Sequence, residues 1–133
     1  KLPEHLASQP YLTEYYGRVD WSVRAIFEGY LGWFDGNPVN LNILAPKAEA
    51  EKMAKMAGGK EKLRKNALLA YNEGDYQWAV QLTDYLLALN KNDKEIIILK
   101  ADALMEIAKT MVTATGRNYM NSYAIQLRRS LEK

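Results

Sequence analysis

The sequence predicts an all-α fold, a bundle of about six helices without a β-sheet. Apolar residues recur every three or four positions along most of the chain, which is the period of a helix that buries one face. No proline follows Pro46, so the long C-terminal part has no residue that would break a helix from within. The run Ile96–Leu99 has a high strand propensity, but it lies inside a longer helical pattern and has no turn residues beside it.

The first third of the chain contains a lead-in and one predicted helix. Residues 1–19 are expected to be irregular. Asp20 is a predicted N-cap, and the helix after it follows an apolar stripe to the stop signal Asp35–Pro38. Gly29 and Gly32 interrupt this stripe, each at a cost of about 1 kcal/mol relative to alanine. We therefore expect another backbone to approach the helix closely at these glycines.

Caps and glycines divide the rest of the chain into helices. Pro46 is favourable as the first residue of a helix, Asp75 is a predicted N-cap, and Gly116 is expected to separate the last two helices. After an extended or irregular segment at 39–45, the predicted helices are Pro46–Met56, Lys60–Asn72, Asp75 to about Leu89, Asp93–Thr113 and Arg117–Leu131. The helix after Asp93 is apolar nearly all round, which is typical of a central helix or of one buried by a partner.

The segment from Leu63 to Leu89 resembles one tetratricopeptide unit. Ala67 and Ala79 are expected where its two helices cross, because helices approach to about 8–10 Å only over small side chains. The tripeptide Gly74–Tyr76 makes the turn. Several such units are normally needed for a free-standing solenoid, so the pattern predicts a helical hairpin inside a domain.

Composition excludes several classes of protein. A chain of 133 residues has the size of one domain, and its net charge of +2 is too small to indicate nucleic-acid binding. The chain lacks cysteine, which excludes disulfides and thiolate metal sites, and no run approaches the roughly 18 apolar residues needed to span a membrane. Its first residue is Lys1 rather than methionine, so we expect a chain that was cut from a longer protein or from which a tag was removed.

The charges are unevenly distributed. Residues 47–65 contain seven Lys or Arg against three Glu, a local charge of +4. Residues 1–46 contain three Lys or Arg against five Asp or Glu, a local charge of −2. Two interpretations are open: a solvated basic helix face, or complementarity between the basic and acidic parts, within one chain or between two.

The chain lacks a recognisable set of catalytic residues. His5 is the only histidine, and nothing around it has the pattern of a nucleophilic site or of a metal site. Glu49 and Glu51 lie among lysines and are expected to be surface ion-pair partners. The Gly58–Lys60 junction lacks the spacing of a phosphate-binding loop. We therefore predict that this chain contains no catalytic residue and no metal ligand.

Several segments carry a resemblance to a known family: Tyr16–Arg24 (YGRVDWSVR), Gly29–Pro38 (GYLGWFDGNP), Gly74–Ala79 (GDYQWA) and, downstream, Arg117–Tyr119 (RNY). Over about Leu2 to Arg128 they resemble the helical dimerisation domain of bacterial alkyl sulfatases. The chain departs from that family near Ile43, where a proline is expected, and in the last helix, at Met120, Asn121, Ser122 and Gln126.

The resemblance implies that residues 1–133 form a single helical dimerisation domain cut from a larger enzyme. In that family a metallo-β-lactamase-like catalytic domain comes first, binds two zinc ions and hydrolyses sulfate esters of long alkyl chains. A sterol-carrier-like domain follows the helical one. Both would lie outside this sequence. The implied partners are a second copy of the chain and the neighbouring domains, and the implied location is the periplasm or outside the cell.

The resemblance also suggests a role for the cluster of Tyr16, Arg18 and Arg24. In the parent enzyme these residues are candidates for the mouth of the active site, because guanidinium groups match the oxygens of a sulfate group. The alternative is that Arg18 only pairs with Asp20 or Glu14.

A second group of candidates is expected to be core or dimer interface, because large apolar side chains bury the most area. Its members are Trp21, Trp33, Phe34, Trp78, Ile97 and Leu104. An alternative function is a tetratricopeptide-like adaptor that binds another protein, and a single well-formed repeat argues against it.

Overall fold

The computed structural model describes residues 2–132. Within that range the chain forms α-helices and no β-strand, which confirms the predicted fold class. The helices are α1 (Glu4–Ala7), α2 (Val19–Leu31), α3 (Pro46–Met56), α4 (Lys60–Asn72), α5 (Tyr76–Leu89), α6 (Lys94–Thr110) and α7 (Ala114–Arg129), with short 3-10 helices at Pro10–Leu12 and Pro38–Asn42. The sequence predicted about six helices, and the additional one is the four-residue α1.

Helices α3 to α7 form a closed unit, here called the body. Consecutive helices from α4 to α7 pack side by side, and α3 packs on α5. Leu63, Leu86 and Ile96 are the largest buried apolar side chains. Most other core positions are alanines, which let helix axes approach closely; they include Ala54, Ala67, Ala70, Ala79, Ala101, Ala103 and Ala124.

The caps and turns of the body agree with the sequence. Helices α3 and α4 have the predicted bounds. The Asp75 carboxylate accepts a hydrogen bond from the Trp78 N–H at 3.2 Å, and the Asp93 carboxylate accepts one from the Ile96 N–H at 3.4 Å. The predicted N-cap Asp75 is therefore confirmed, and Asp93 caps α6 in the same way. Gly74 makes the turn between α4 and α5 with a φ of 81°, a conformation that glycine adopts without strain.

The boundary between α6 and α7 differs from the prediction. Helix α6 ends at Thr110 instead of Thr113, and α7 begins at Ala114, so Gly116 lies inside the first turn of α7 rather than between the helices. The physical reason is a packing contact. Gly116 is buried against the ring of Trp21, and a Cβ atom added there would stand 2.7 Å from a ring carbon. This glycine therefore allows a close approach and does not reverse the chain.

Residues 2–45, here called the arm, contain α1 and α2. Helix α2 begins at Val19, so the predicted N-cap Asp20 lies in its first turn. Glu14 instead provides an acceptor for a backbone N–H group at the start of the helix. Its carboxylate accepts a hydrogen bond from the Val19 N–H at 2.7 Å.

No part of the described chain makes the predicted close approach at Gly29 and Gly32. A Cβ atom added to either residue would meet no atom of the described chain within 4 Å. Gly32 ends α2 with a φ of 77°, and its N–H donates to the Glu28 carbonyl at 2.8 Å. The next segment, predicted to be extended or irregular, begins with a 3-10 helix at Pro38–Asn42, because the Asn37 side chain accepts a hydrogen bond from the Val39 N–H.

The arm contacts the start of α7 at a joint. The Ala114 N–H donates to the Tyr15 carbonyl at 2.6 Å, and the Thr115 hydroxyl donates to the Tyr16 carbonyl at 2.7 Å. The ring of Trp21 packs on the same turn of α7. These three contacts set the direction in which α2 leaves the body.

A buried lysine connects three helices of the body. Lys100 on α6 is 6% exposed. Its ammonium group pairs with the Asp84 carboxylate on α5 and lies 5.3 Å from the ring centre of Tyr123 on α7. A buried charge of this kind is tolerated only while its partners are present.

Removing Asp84 should therefore destabilise the body more than removing the lysine. We expect Asp84→Ala to lower the free energy of unfolding by about 1–2 kcal/mol, because it leaves the Lys100 ammonium group without its counter-charge. We expect Lys100→Met to be neutral or stabilising, since methionine fills a similar volume without a charge. Urea unfolding followed by circular dichroism measures both changes. Equal losses in the two variants would contradict this account.

The joint can be tested with two helical glycines. Gly116→Ala should displace the Trp21 ring, because the added methyl group overlaps it, and should expose the Ala114 amide. The indole N–H resonance of Trp21 and the exchange rate of that amide report the change. Gly29→Ala is the matched control, since its methyl group meets nothing. The joint as described is refuted if the two variants leave the Trp21 resonance in the same place.

Candidate functional site

The arm has no buried residue over its described length. This holds even for α2, which has thirteen residues and an apolar stripe. Ile26 is 59% exposed and Leu31 is 65% exposed, although both belong to types that are usually buried. We call the exposed apolar residues of α2 the arm surface: Val19, Val23, Ile26, Phe27, Tyr30 and Leu31.

The apolar exposure continues beyond α2. Trp33 is 74% exposed, and its ring lies 5.8 Å from that of Phe34. The chain then returns to α3 through further exposed aliphatic side chains at Val39, Leu41, Ile43 and Leu44. A contiguous exposed apolar region of this size is typical of an interaction surface.

The candidates for core or interface fall into two groups. Ile97 and Leu104, both on α6, are buried in the body at 7% and 5% exposure. Their side chains have no free surface for a second chain in this structure. The four aromatic candidates, Trp21, Trp33, Phe34 and Trp78, are at least one-third exposed.

Arg18 is held by its sequence neighbour. Its guanidinium group donates two hydrogen bonds to the Asp20 carboxylate, at 2.9 and 3.1 Å, and lies 5.7 Å from the ring centre of Trp21. These hydrogen bonds hold the pKa of the Asp20 carboxyl below its usual value. The pairing of Arg18 with Asp20, one of the two alternatives considered from sequence, is thus present.

No single pocket is lined by all three of the residues Tyr16, Arg18 and Arg24. Tyr16 lines a cleft of about 500 Å³ beside the joint, together with Arg117. Arg18 lines a separate cleft of about 400 Å³ that Thr113 also borders. Arg24 is exposed on α2 and lines neither of these clefts.

The part of the chain that the structure describes offers no metal centre. Residues 2–132 bring together no group of three or more histidine or carboxylate side chains that could hold a metal ion. Among the same residues, no helix is long and apolar enough to cross a membrane.

Sequence reasoning missed a second exposed apolar surface, on α4. Leu68 and Leu69 are 50% and 54% exposed, and Leu69 borders a cleft of about 200 Å³ together with Trp78 of α5. The signal was present, since Leu63, Ala67 and Ala70 already account for the buried face of this helix. Two leucines on the opposite side have no place in the core of the body.

Comparisons with known proteins agree on one family. The family model described as alkyl sulfatase dimerisation matches residues 1–130. A linear primary-alkylsulfatase from a Pseudomonas species is 40% identical over 99% of this chain and 25% of its own length. An alkyl/aryl-sulfatase from Saccharomyces cerevisiae is 31% identical over 100% of this chain and 21% of its own length, so the similarity extends beyond bacteria.

The fold also has a solved relative. The stereoselective inverting sec-alkylsulfatase Pisa1 from a Pseudomonas species matches with a TM-score of 0.87 and 35% identity, over 96% of this chain and 20% of that one. The chain thus spans between a fifth and a quarter of the length of these relatives. With a family model over nearly all of its residues, the chain belongs to the alkyl sulfatase dimerisation family.

Proposed function

We propose that this chain is the homodimerisation module of a larger alkylsulfatase. The family model, which is named for dimerisation, supports self-association. The observation that carries the proposal is the arm surface: a whole amphipathic helix of the domain has no buried residue within its own chain.

The energetics of α2 favour a covered state. A helix of this length, isolated in water, is marginal because nucleation costs more than its few hydrogen bonds return. Burying apolar surface stabilises by about 25 cal/mol per Å², and permanent dimer interfaces resemble a domain core cut in half. Exposed Ile26, Phe27 and Leu31 provide a surface of that character.

Catalysis is proposed for the rest of the parent enzyme. The relatives are named as alkylsulfatases, and this fragment corresponds to a fraction of their length. We propose that the parent hydrolyses long-chain alkyl sulfate esters with zinc held outside these residues. The adaptor alternative has no specific support, because only one helical hairpin has the spacing of a tetratricopeptide unit and most of the exposed large apolar side chains lie on the arm.

We propose a second role for the arm at the substrate entrance of the parent. Tyr16 is 84% exposed, Arg18 is the N-cap residue of α2, and Arg24 is exposed within that helix. Cationic groups of this kind bind oxyanions such as sulfate esters.

Self-association is tested by an aspartate on the arm surface. We expect the wild-type chain to show twice its mass of 15.2 kDa by light scattering after size exclusion. Ile26→Asp should give a folded monomer, because it adds a charge to the covered face without touching the body core. The matched control is Ile125→Asp on α7, which is also exposed and should remain dimeric.

Two outcomes separate folding from association. Leu104→Asp should unfold the chain, since it buries a charge in the core; a folded Leu104→Asp monomer would contradict the burial described here. A wild-type chain that stays monomeric at every concentration would contradict the proposed function.

The substrate-entrance role is tested in the parent enzyme. Arg18→Ala should raise KM for alkyl sulfates by about tenfold, the loss of one charge-assisted hydrogen bond. Asp20→Asn is the matched control, because it breaks the same ion pair but retains the guanidinium group. Equal KM changes in the two variants, or none in either, would show that Arg18 serves only to hold Asp20.

A further inference from the structure

Thr113, next to the joint, has a buried hydroxyl group without a hydrogen-bond partner. The residue is 3% exposed, and no atom of residues 2–132 forms a hydrogen bond with its Oγ1 atom. Buried polar atoms are normally hydrogen-bonded, because an unsatisfied one has lost its bonds to water without any replacement. The joint is therefore less stable than it would be if this hydroxyl were satisfied.

Thr113 occupies a position at which its hydroxyl group would normally be used. It is the N-cap residue of α7, with the extended backbone of an N-cap (φ −65° and ψ 119°). An N-cap threonine usually accepts a hydrogen bond from the N–H two or three residues later, here Thr115 or Gly116. No such bond is present. Because the backbone already has the capping conformation, rotation of the side chain is sufficient to form one.

The arm favours the side-chain rotamer that does not cap. The methyl carbon of Thr113, a ring carbon of Trp21 and the terminal methyl of Met111 all lie over Gly116. They stand 3.1, 2.7 and 3.2 Å from the place of a Cβ atom on that glycine. Turning the hydroxyl toward Gly116 would bring a polar group into this apolar cluster. While Trp21 is docked, the methyl group is therefore the better occupant.

The backbone of the arm provides acceptors at the start of α7 instead. The Tyr15 carbonyl accepts a hydrogen bond from the Ala114 N–H at 2.6 Å. The Tyr16 carbonyl accepts one from the Thr115 hydroxyl at 2.7 Å. The first N–H groups of a helix have no partner within the helix, so the docked arm takes over part of the work of an N-cap side chain.

The connection between α6 and α7 is held independently of the arm. Arg117 donates hydrogen bonds from its guanidinium group to the carbonyls of Met111 and Val112, at 3.1 and 3.3 Å. These bonds lie within the body, so they remain when the arm moves. The Thr113 backbone accordingly keeps its capping conformation in either case.

We propose that the joint has two states, in which the arm and the Thr113 hydroxyl are alternative caps of α7. In the closed state the arm is docked and the hydroxyl has no partner. In the open state Trp21 leaves Gly116, the hydroxyl turns toward the helix and caps it, and α7 stays intact while α2 changes direction. Each state satisfies groups that the other leaves unpaired, which is the property of a two-state element.

The inference goes beyond the proposed function and does not depend on whether the chain dimerises. Because α2 carries the arm surface, the joint controls whether that surface is held in one direction or is free to reorient. The fold thus contains a device that can release the arm without unfolding the body.

Two threonine variants test the joint by amide hydrogen exchange, measured at one protein concentration. The Ala114 amide reports the closed state, since it donates to the arm. Thr113→Val retains the methyl group, removes the unpartnered hydroxyl and prevents capping in the open state, so the protection factor of Ala114 should rise about tenfold. Thr115→Val is the matched control on the same helix turn. It removes the bond to Tyr16, and the protection factor should fall.

The competition between the two caps is tested by adding Trp21→Ala. In that variant the hydroxyl should cap α7, so a further Thr113→Val change should lower the protection of the Gly116 amide about fivefold. With Trp21 present, Thr113→Val should not lower it. Circular dichroism verifies that the body remains folded in each variant.

Two results would overturn the proposal. Lower or unchanged Ala114 protection in Thr113→Val would show that the hydroxyl does not oppose the closed state. An equal effect of Thr113→Val on Gly116 with and without Trp21 would show that the arm and the hydroxyl do not compete. If Trp21→Ala does not fold, the two threonine variants decide the question alone. Light scattering tests the proposed function separately, so neither result affects it.

Discussion

The alanine-filled core of the body is the constraint on which the rest of the structure depends. Buried Ala67, Ala79 and Ala101 allow α4, α5 and α6 to approach one another closely, and a close-packed core of this kind has no room for a further row of large side chains. Helix α2 carries such a row. It lies outside the body, and the described residues leave its apolar face uncovered.

The contacts between the arm and α7 at the joint give the arm a defined direction. The arm is fixed to α7 by the Tyr15 and Tyr16 carbonyls and by Trp21 on Gly116, and it returns to the body at Pro46. A segment tied at both ends has less conformational entropy to lose on docking than a free tail. This preorganisation favours a permanent interface, because α2 by itself would be only marginally stable as a helix.

The sequence predicted those parts of the fold that depend on nearby residues. Asp75 and Asp93 begin helices by accepting hydrogen bonds from amides three residues later, and Pro46 begins one through its fixed backbone angle. Pattern and propensity are therefore sufficient there. Gly116 could not be interpreted in this way. Its role comes from its contact with Trp21, which is distant in sequence. Without the fold, the simplest prediction for such a glycine is a break between two helices.

For the arm surface, too, the sequence predicted the local features but not the long-range contacts. An apolar stripe at 23, 26, 27, 30 and 31 predicts that α2 is covered, but periodicity does not say whether the cover is the same chain or another. The pairing of Arg18 with Asp20 is local and was among the alternatives. Leu68 and Leu69 were missed because a helix that is already amphipathic gives no reason to look at its second face.

Hydrogen exchange as a function of protein concentration tests the central claim most directly. If a second copy covers the arm surface, the amides of residues 19–31 are protected at high concentration and exchange rapidly on dilution below the dimer dissociation constant. Amides of the body keep their protection throughout, because their cover lies within one chain. Protection of α2 that does not change on dilution to a monomer would contradict the account.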